Sequence, residues 1–275
     1  MNNKPIAVIK VGGDMLLSHA DRRGFASNLN DLVRAGWNCV VVHGGGPQLN
    51  DLQQVHGLVP TKIDGRRVTQ AKDLQVVKQA LCGEVNVDLV ASLLGEGVNA
   101  FGCHGASGLL INAEKRPPMN FPEHGAVDMG EVGDVKSVNS CLIKELLALN
   151  LVPVIASLGA NRDGRVFNIN ADTVVSSIAS SLNADLLILS TMVGGIYEDI
   201  ADPNSRIAEI TPGLAKRLIL DGVITDGMIP KVNESLSLLG AGVGAISITN
   251  AALKGSFLAI SRGDNSIGTR LVSDI

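Results

Sequence analysis

Two glycine clusters each close a short apolar run. Lys10-Val11-Gly12-Gly13 follows residues 6–9 (IAVI), and His43-Gly44-Gly45-Gly46-Pro47 follows residues 39–42 (CVVV). Glycine carries no Cβ, so at such a turn backbone N–H groups can approach an anion closely. Pro47 suits the first turn of a helix, and a helix N-terminus there favours phosphate. Two such loops in one half of the chain, one preceded by a lysine, point to a polyphosphate site formed by Gly12, Gly13, Gly44, Gly45 and Gly46. The plainer reading of each loop is a tight turn.

Further constellations lie downstream. In Asn168-Ile169-Asn170-Ala171-Asp172, Asn170 or Asp172 is placed to cap a helix. In Asp226-Gly227-Met228-Ile229-Pro230-Lys231, Lys231 falls at a helix start, where a cation opposes the dipole. It is read either as a solvated lysine or as one facing a bound anion. Gly65-Arg66-Arg67-Val68-Thr69 offers two arginines, and a guanidinium fork suits a carboxylate. Other chemistries are excluded. No Gly-Lys pair occurs, so there is no Walker A loop; Gly-x-Ser-x-Gly and His-Glu-x-x-His are absent as well. Gly-x-Gly-x-x-Ala occurs at 95–100 and 240–245, but each follows a helix pattern and precedes a strand pattern, the reverse of a dinucleotide fingerprint. Both are read as helix ends.

The elements that must position these groups alternate. The pattern predicts strands over 6–11, 39–42, 99–101, 152–156, 186–189 and 245–248, each apolar throughout as in a covered parallel sheet. Helices are predicted over 22–35, 47–56, 71–94, 140–149, 172–182, 212–221 and 229–239, with helical spacing at Phe25, Leu29, Leu32 and Val33. This is an α/β protein with a mainly parallel sheet and, by right-handed crossovers, helices on both faces. The stretch 115–134 is polar and rich in Pro and Gly, a hairpin or irregular loop. A turn at 159–164 is taken as the boundary between two lobes.

Composition narrows the class. Thirty-one glycines in 275 residues exceed the roughly 7% of ordinary chains, yet the apolar fraction of 45% excludes disorder. A net charge of −4 argues against nucleic-acid binding. Charged residues at 18%, below the usual ~25%, point to extra surface buried in an oligomer. Cys39, Cys82, Cys103 and Cys141 are too far apart for a zinc ribbon or disulfide framework and are read as free thiols. The charge-free stretch 235–253 holds glycines and hydroxyl residues and reads as helix end, turn and strand rather than a membrane span.

In order and spacing, these motifs resemble the amino acid kinase family over about residues 5–272, and within it the branch acting on N-acetyl-L-glutamate. The resemblance implies a three-layer α/β/α sandwich forming one continuous domain. Its N-terminal lobe, 1–165, would bind the acyl acceptor and γ-phosphoryl group; its C-terminal lobe, 166–275, would bind the nucleotide. It implies ATP-dependent phosphorylation of the acceptor's side-chain carboxylate in arginine biosynthesis, with Mg²⁺ held by the nucleotide phosphates. By resemblance, Lys10 lies on the transferring phosphoryl, Lys231 on the leaving phosphates, and Asp172 holds both lysines. The glycines cradle the γ-phosphoryl. Arg67 takes the α-carboxylate, with Arg66 its unresolved competitor, and Asn168, Asn170 and Gly45 complete the acceptor site. Thr191, Met192, Gly194, Gly195, Gly227 and Met228, with Lys231, bind the nucleotide.

The chain departs from the family pattern at 102–108 (GCHGASG), at Met192 where an aspartate is usual, and in the tail 251–264. These departures keep two alternatives open: a sister kinase for another N-blocked amino acid such as acetylaminoadipate, or a non-catalytic ligand-binding module of the same fold. The early first strand implies the short, arginine-insensitive homodimer type, active in the cytoplasm.

Overall fold

The computed structural model describes residues 4–225 and 228–273. Its first strand, β1 (Ile6–Val11), has no polar face. Ala7, Ile9 and Val11 pack to one side and Val8 to the other, all fully buried. Such a strand must be covered on both sides, and it lies near the middle of an eight-stranded sheet. The other strands are β2 (Asn38–His43), β3 (Ala100–His104), β4 (Val152–Ala156), β5 (Leu186–Ser190), β6 (Glu209–Ile210), β7 (Ile246–Thr249) and β8 (Thr269–Leu271). Their spatial order is β6-β8-β7-β5-β1-β2-β4-β3. All neighbours run parallel except β7 and β8.

The helices are α1 (His19–Arg34), α2 (Gly46–Val55), α3 (Ala71–Lys78), α4 (Asn86–Gly95), α5 (Ser140–Ala148), α6 (Ala171–Leu182), α7 (Pro212–Leu220), α8 (Met228–Gly240) and α9 (Ser256–Ser261). On one face Phe25, Leu29 and Leu32 of α1, Leu89 and Leu93 of α4 and Phe257 of α9 pack on Ala7, Ile9 and Val41. On the other, Ile143 of α5, Val174 and Ile178 of α6, Leu218 of α7 and Val232 of α8 pack on Val8, Val42 and Leu189. The fold is thus the three-layer α/β/α sandwich with a mainly parallel sheet. Among the described residues no helix is long and apolar enough to cross a membrane; the stretch 235–253 is the end of α8, a turn with Gly242 at φ +97°, and β7.

The structure refines several boundaries. The helix predicted over 71–94 is α3 and α4 joined by a π-helical segment, Gln79–Val85, which hydrophobic periodicity does not reveal. Helix α1 begins earlier than 22 because Ser18 caps it, accepting from the Asp21 N–H at 3.4 Å. Strand β3 runs on to His104. A second, four-stranded sheet was not foreseen: Val166–Asn168, Leu158–Ala160, Ile111–Lys115 and Gly133–Val138, in that order. The turn at 159–164 connects two antiparallel strands of this sheet. Within 115–134, Met119–Phe121 and Gly125–Val127 form a hairpin, and Lys62–Ile63 pairs with Arg66–Arg67 in another.

Candidate active site

Because β1 and β2 are parallel with Val11 opposite His43, Gly12 and Gly44 leave the sheet side by side at its carboxyl edge. That edge is where ligands sit in open α/β sheets. The two loops touch. A Cβ on Gly13 would lie 2.8 Å from the backbone nitrogen of Gly46 and 2.8 Å from Pro47 Cδ, so only glycine allows the approach. Gln48, in the first turn of α2, ties the loops together by donating from Nε2 to the Gly13 carbonyl at 2.9 Å. Among the described residues, the amides of Gly12, Gly13, Gly45 and Gly46 find no protein acceptor. They line a cleft of about 310 Å³ with Gly44 and Lys10.

Period-two alternation puts Lys10 on the Val8 face, beneath α6 and α8. Helix α6 starts at Ala171, and Asn170 caps it by accepting from the Asp172 N–H at 2.8 Å. Asp172 stands in that first turn, where an anion is favoured by the dipole. Its Oδ1 receives Lys10 Nζ at 3.3 Å and Lys231 Nζ at 3.1 Å. Both lysine side chains are largely buried, at 13% and 12% exposed. Lys231 lies in the first turn of α8, where the dipole repels it; Asp172 compensates. Burial pushes the Lys10 pKa down, Asp172 raises it, and the net result stays below 10.5. Burial pushes the Asp172 carboxyl up, but Lys10 and Lys231 outweigh it and hold it below 3.8. The cluster sets two lysines against one carboxylate beside the glycine amides.

The far end of the cleft is formed by Arg67, Asn168, Asn170, Ile169, Met129 and Val132. Arg67 donates to Gln53 Oε1 and to Asn50 Oδ1. Gln53 donates on to Asp73 at 2.6 Å, so the guanidinium is held in a fixed plane. Burial depresses the Arg67 pKa, an effect the Asp73 charge opposes. Arg66 also lines the cleft but is exposed, which favours Arg67 as the fixed fork. Asn168 Nδ2 donates to Thr69 Oγ1 at 3.0 Å. Among the described residues, Lys62, Arg66, Arg67, Arg116 and Lys10 line this cleft and no carboxylate does. Such a lining suits an anion, in a protein of net negative charge.

The remaining candidates lie past the carboxyl end of β5. Gly194 N–H donates to Thr191 Oγ1 at 3.0 Å, and the Met192 carbonyl accepts from Asn250 Nδ2 at 3.2 Å. The Met192 side chain stays 49% exposed. Gly195 and Met228 line a separate cavity of about 380 Å³ with Val193, Tyr197, Val223 and Thr225. Gly227 lies outside the described residues.

Sequence reasoning missed several wall residues of the cleft. Arg116 is one: its side chain is 12% exposed, and Asp134 Oδ1 accepts from its Nε at 2.8 Å and stands 2.6 Å from its Nη2 in an ion pair. Leu81 and Ser157 are others. Leu81 arrives on the π segment, where its Cδ2 would lie 2.7 Å from a Cβ on Gly45. The basic residue Arg116 was visible in the sequence, but nothing local separates it from a solvated arginine.

Comparison with known proteins bears on this geometry. The sequence is 43% identical over 270 residues to an acetylglutamate kinase of Anaeromyxobacter dehalogenans (strain 2CP-1), covering 97% of this chain and 98% of that one. It is 44% identical over 243 residues to an acetylglutamate kinase of Methanopyrus kandleri, covering 88% and 94%. A crystal structure from Streptococcus mutans UA159 superposes with a TM-score of 0.77 at 32% identity, covering 98% and 99%. The amino acid kinase family profile matches residues 5–250. That span contains the glycine loops, both lysines and Asp172, and the chain accordingly belongs to the amino acid kinase family.

Proposed function

We propose that the chain transfers the γ-phosphoryl group of ATP to the side-chain carboxylate of N-acetyl-L-glutamate, yielding N-acetyl-L-glutamyl 5-phosphate and ADP for arginine biosynthesis. The observation that carries this reading is the double ion pair of Lys10 and Lys231 on Asp172, beside four glycine amides that have no acceptor among the described residues. The acceptor carboxylate is ionised at neutral pH and needs no general base. One of its oxygens forms the new P–O bond while the bond from the γ-phosphorus to the β,γ-bridging oxygen breaks, and ADP leaves with that electron pair. Such a loose transfer spreads charge over the phosphoryl oxygens and demands electrostatic stabilisation more than covalent help.

In this reading Gly12, Gly13, Gly44, Gly45 and Gly46 cradle the γ-phosphoryl. Lys10 neutralises it, Lys231 neutralises the departing phosphates, and Asp172 holds both ammonium groups in place. Arg67 takes the α-carboxylate, and Asn168, Asn170 and Gly45 orient the rest of the acceptor. Thr191, Met192, Gly194, Gly195 and Met228 hold the nucleotide, with its base in the cavity beside Tyr197; Gly227 joins them by resemblance. In this reading residues 1–165 carry the γ-phosphoryl loops and most of the acceptor site, while 166–275 hold the nucleotide and lend Asn168 and Asn170 to the acceptor. Among the described residues no group of three or more His, Cys, Asp or Glu forms a metal cage. Mg²⁺ would be held by the nucleotide phosphates rather than by side chains, and would supply charge neutralisation there.

The working unit is a homodimer joined across β3, the edge strand of the main sheet. Phe101 on that strand and Val87 and Leu94 on the adjoining α4 are 42%, 60% and 53% exposed, apolar side chains that a partner would cover. The four cysteines are free, in keeping with a reducing cytoplasm.

A hydroxamate assay with MgATP over a panel of N-blocked acids tests the activity. Signal with N-acetyl-L-glutamate, falling sharply in Lys10→Ala, is expected. Signal only with N-acetyl-L-aminoadipate indicates the sister kinase, and nucleotide binding with no turnover of any acid indicates a binding module.

A further inference from the structure

His43 closes β2 directly before the glycine loop, and the phosphoryl-transfer reading leaves it without a task. It is fully buried. Strand alternation turns it to the face of Cys39 and Val41, toward α4. Asn86, the first residue of α4, holds it there. Asn86 Nδ2 lies 2.8 Å from His43 Nε2 and 3.0 Å from the Val154 carbonyl. A carbonyl accepts only, so the Asn86 nitrogen rather than its oxygen occupies that position, and His43 Nε2 must accept. The imidazole proton therefore sits on Nδ1, which donates to the Gly44 carbonyl at 2.9 Å. Burial pushes the His43 pKa down to about 4, against a smaller upward pull from the Gly44 carbonyl, so the ring stays uncharged at neutral pH.

This bond has a geometric consequence. The peptide between Gly44 and Gly45 is planar and trans, so its C=O and N–H point in opposite directions. Fixing the Gly44 carbonyl toward the buried ring aims the Gly45 N–H the other way, to the cleft side, where it finds no protein acceptor among the described residues. Two glycines in succession leave this peptide free to rotate without such a restraint. The opposite side of the loop is also fixed: Leu81 Cδ2 and Val85 Cγ2 lie 2.7 and 3.1 Å from where a Gly45 Cβ would be. We propose that His43 is a positioning residue, tautomerically set by Asn86, that locks the Gly44–Gly45 peptide so that the Gly45 amide meets the transferring phosphoryl group. The proposal rests on the phosphoryl-transfer reading of the site. A donor aimed at charge developing in the transition state acts on turnover more than on binding.

The test compares His43→Leu with His43→Asn. The asparagine amide takes the place of Nδ1–H and retains the donor, whereas leucine fills the space without one. His43→Leu is expected to lower kcat by about 10- to 100-fold with little change in either KM, and His43→Asn to recover most of that loss. Equal loss in both variants, wild-type kcat in the leucine variant, or an effect confined to KM overturns the proposal. Two further measurements stand apart from the acceptor's identity. In the ¹⁵N spectrum of the wild-type imidazole, His43 should show its proton on Nδ1; a proton on Nε2 overturns the proposal even if the leucine variant does not fold. The Gly45 amide resonance should shift when MgADP and aluminium fluoride are added to the wild type and to His43→Asn, and less in His43→Leu. An identical shift in all three overturns it. Should the wild type phosphorylate no acid in the panel, the functional reading fails, while these two spectra still decide the role of His43.

Discussion

Lys10 and Lys231, from opposite ends of the chain, share one oxygen: Oδ1 of Asp172 is 3.3 Å from the first ammonium and 3.1 Å from the second. The three groups come from three elements that only the folded sheet brings together, β1, α6 and α8. The shared oxygen fixes the spacing of the two ammonium groups, which in the proposed function sets the separation of the phosphoryl groups they would meet.

The alkaline limb of turnover should report this sharing. Burial lowers the Lys10 pKa and Asp172 raises it, with a net value below 10.5. The proposed role of Lys10 requires its protonated form, so kcat should fall as pH rises through that depressed pKa, before an ordinary lysine would titrate. In Asp172→Asn the burial remains and the carboxylate is gone. The limb then moves to lower pH, and the plateau drops by roughly 100-fold or more as the cations lose their position. A kcat profile between about pH 7 and 10 checks both; an unmoved limb would separate Asp172 from the ionisation of Lys10.

Arg67→Lys retains the charge and loses the planar fork. A hydrogen bond to a charged group contributes about 1.5–3 kcal/mol, so the KM for the acceptor should rise by about 10- to 100-fold with the KM for ATP unchanged. Arg66→Lys, on the exposed neighbour, should alter neither by more than about threefold. Initial-rate kinetics with each substrate varied in turn separates the two arginines.

The glycine loops should respond differently to an added methyl group. In Gly45→Ala the new Cβ meets Leu81 Cδ2 at 2.7 Å, the end of a flexible side chain, so Leu81→Ala should restore activity. In Gly13→Ala it meets the backbone nitrogen of Gly46 at 2.8 Å, and no side-chain truncation relieves that. Activity of the single and double variants forms the test: failure of Leu81→Ala to improve Gly45→Ala would assign the clash elsewhere.

Sedimentation velocity addresses the proposed dimer, which the wild type should form. Phe101→Glu with Leu94→Lys places two charges on the apolar edge described above. The double variant should run as a monomer with an unchanged far-ultraviolet spectrum, while a dimer of undiminished stability would move the interface to another face.

Much of this arrangement was legible in the sequence because its signals are local. The apolar runs around Val8, Val41 and Ile188 announce covered strands, and glycines directly after them announce turns at the sheet's carboxyl edge. Asn170 shows its capping role within two residues. What escaped depends on long-range pairing. Arg116 belongs to the cleft because its backbone N–H donates to the Val132 carbonyl at 2.9 Å and its guanidinium to Asp134. Both contacts follow from an antiparallel register that the polar stretch 115–134 does not advertise. The π segment between α3 and α4 escaped for another reason. One wider helical turn leaves the apolar spacing almost unchanged, yet it sets where Leu81 and Asn86 lie against the glycine loop.

The place of β1 in the sheet bears on how the protein is made. This strand is translated before both of its partners and hydrogen-bonds on one side to β2, which follows soon after, and on the other to β5, which comes much later. Until Leu186–Ser190 has left the ribosome, β1 presents an open apolar edge, the kind of surface that recruits foreign strands. Lys231 arrives later still, so a nascent chain has Lys10 and the glycine loops long before Asp172 can hold both lysines. The edge of β1 and the paired lysines are therefore both completed by segments made well over a hundred residues after that strand.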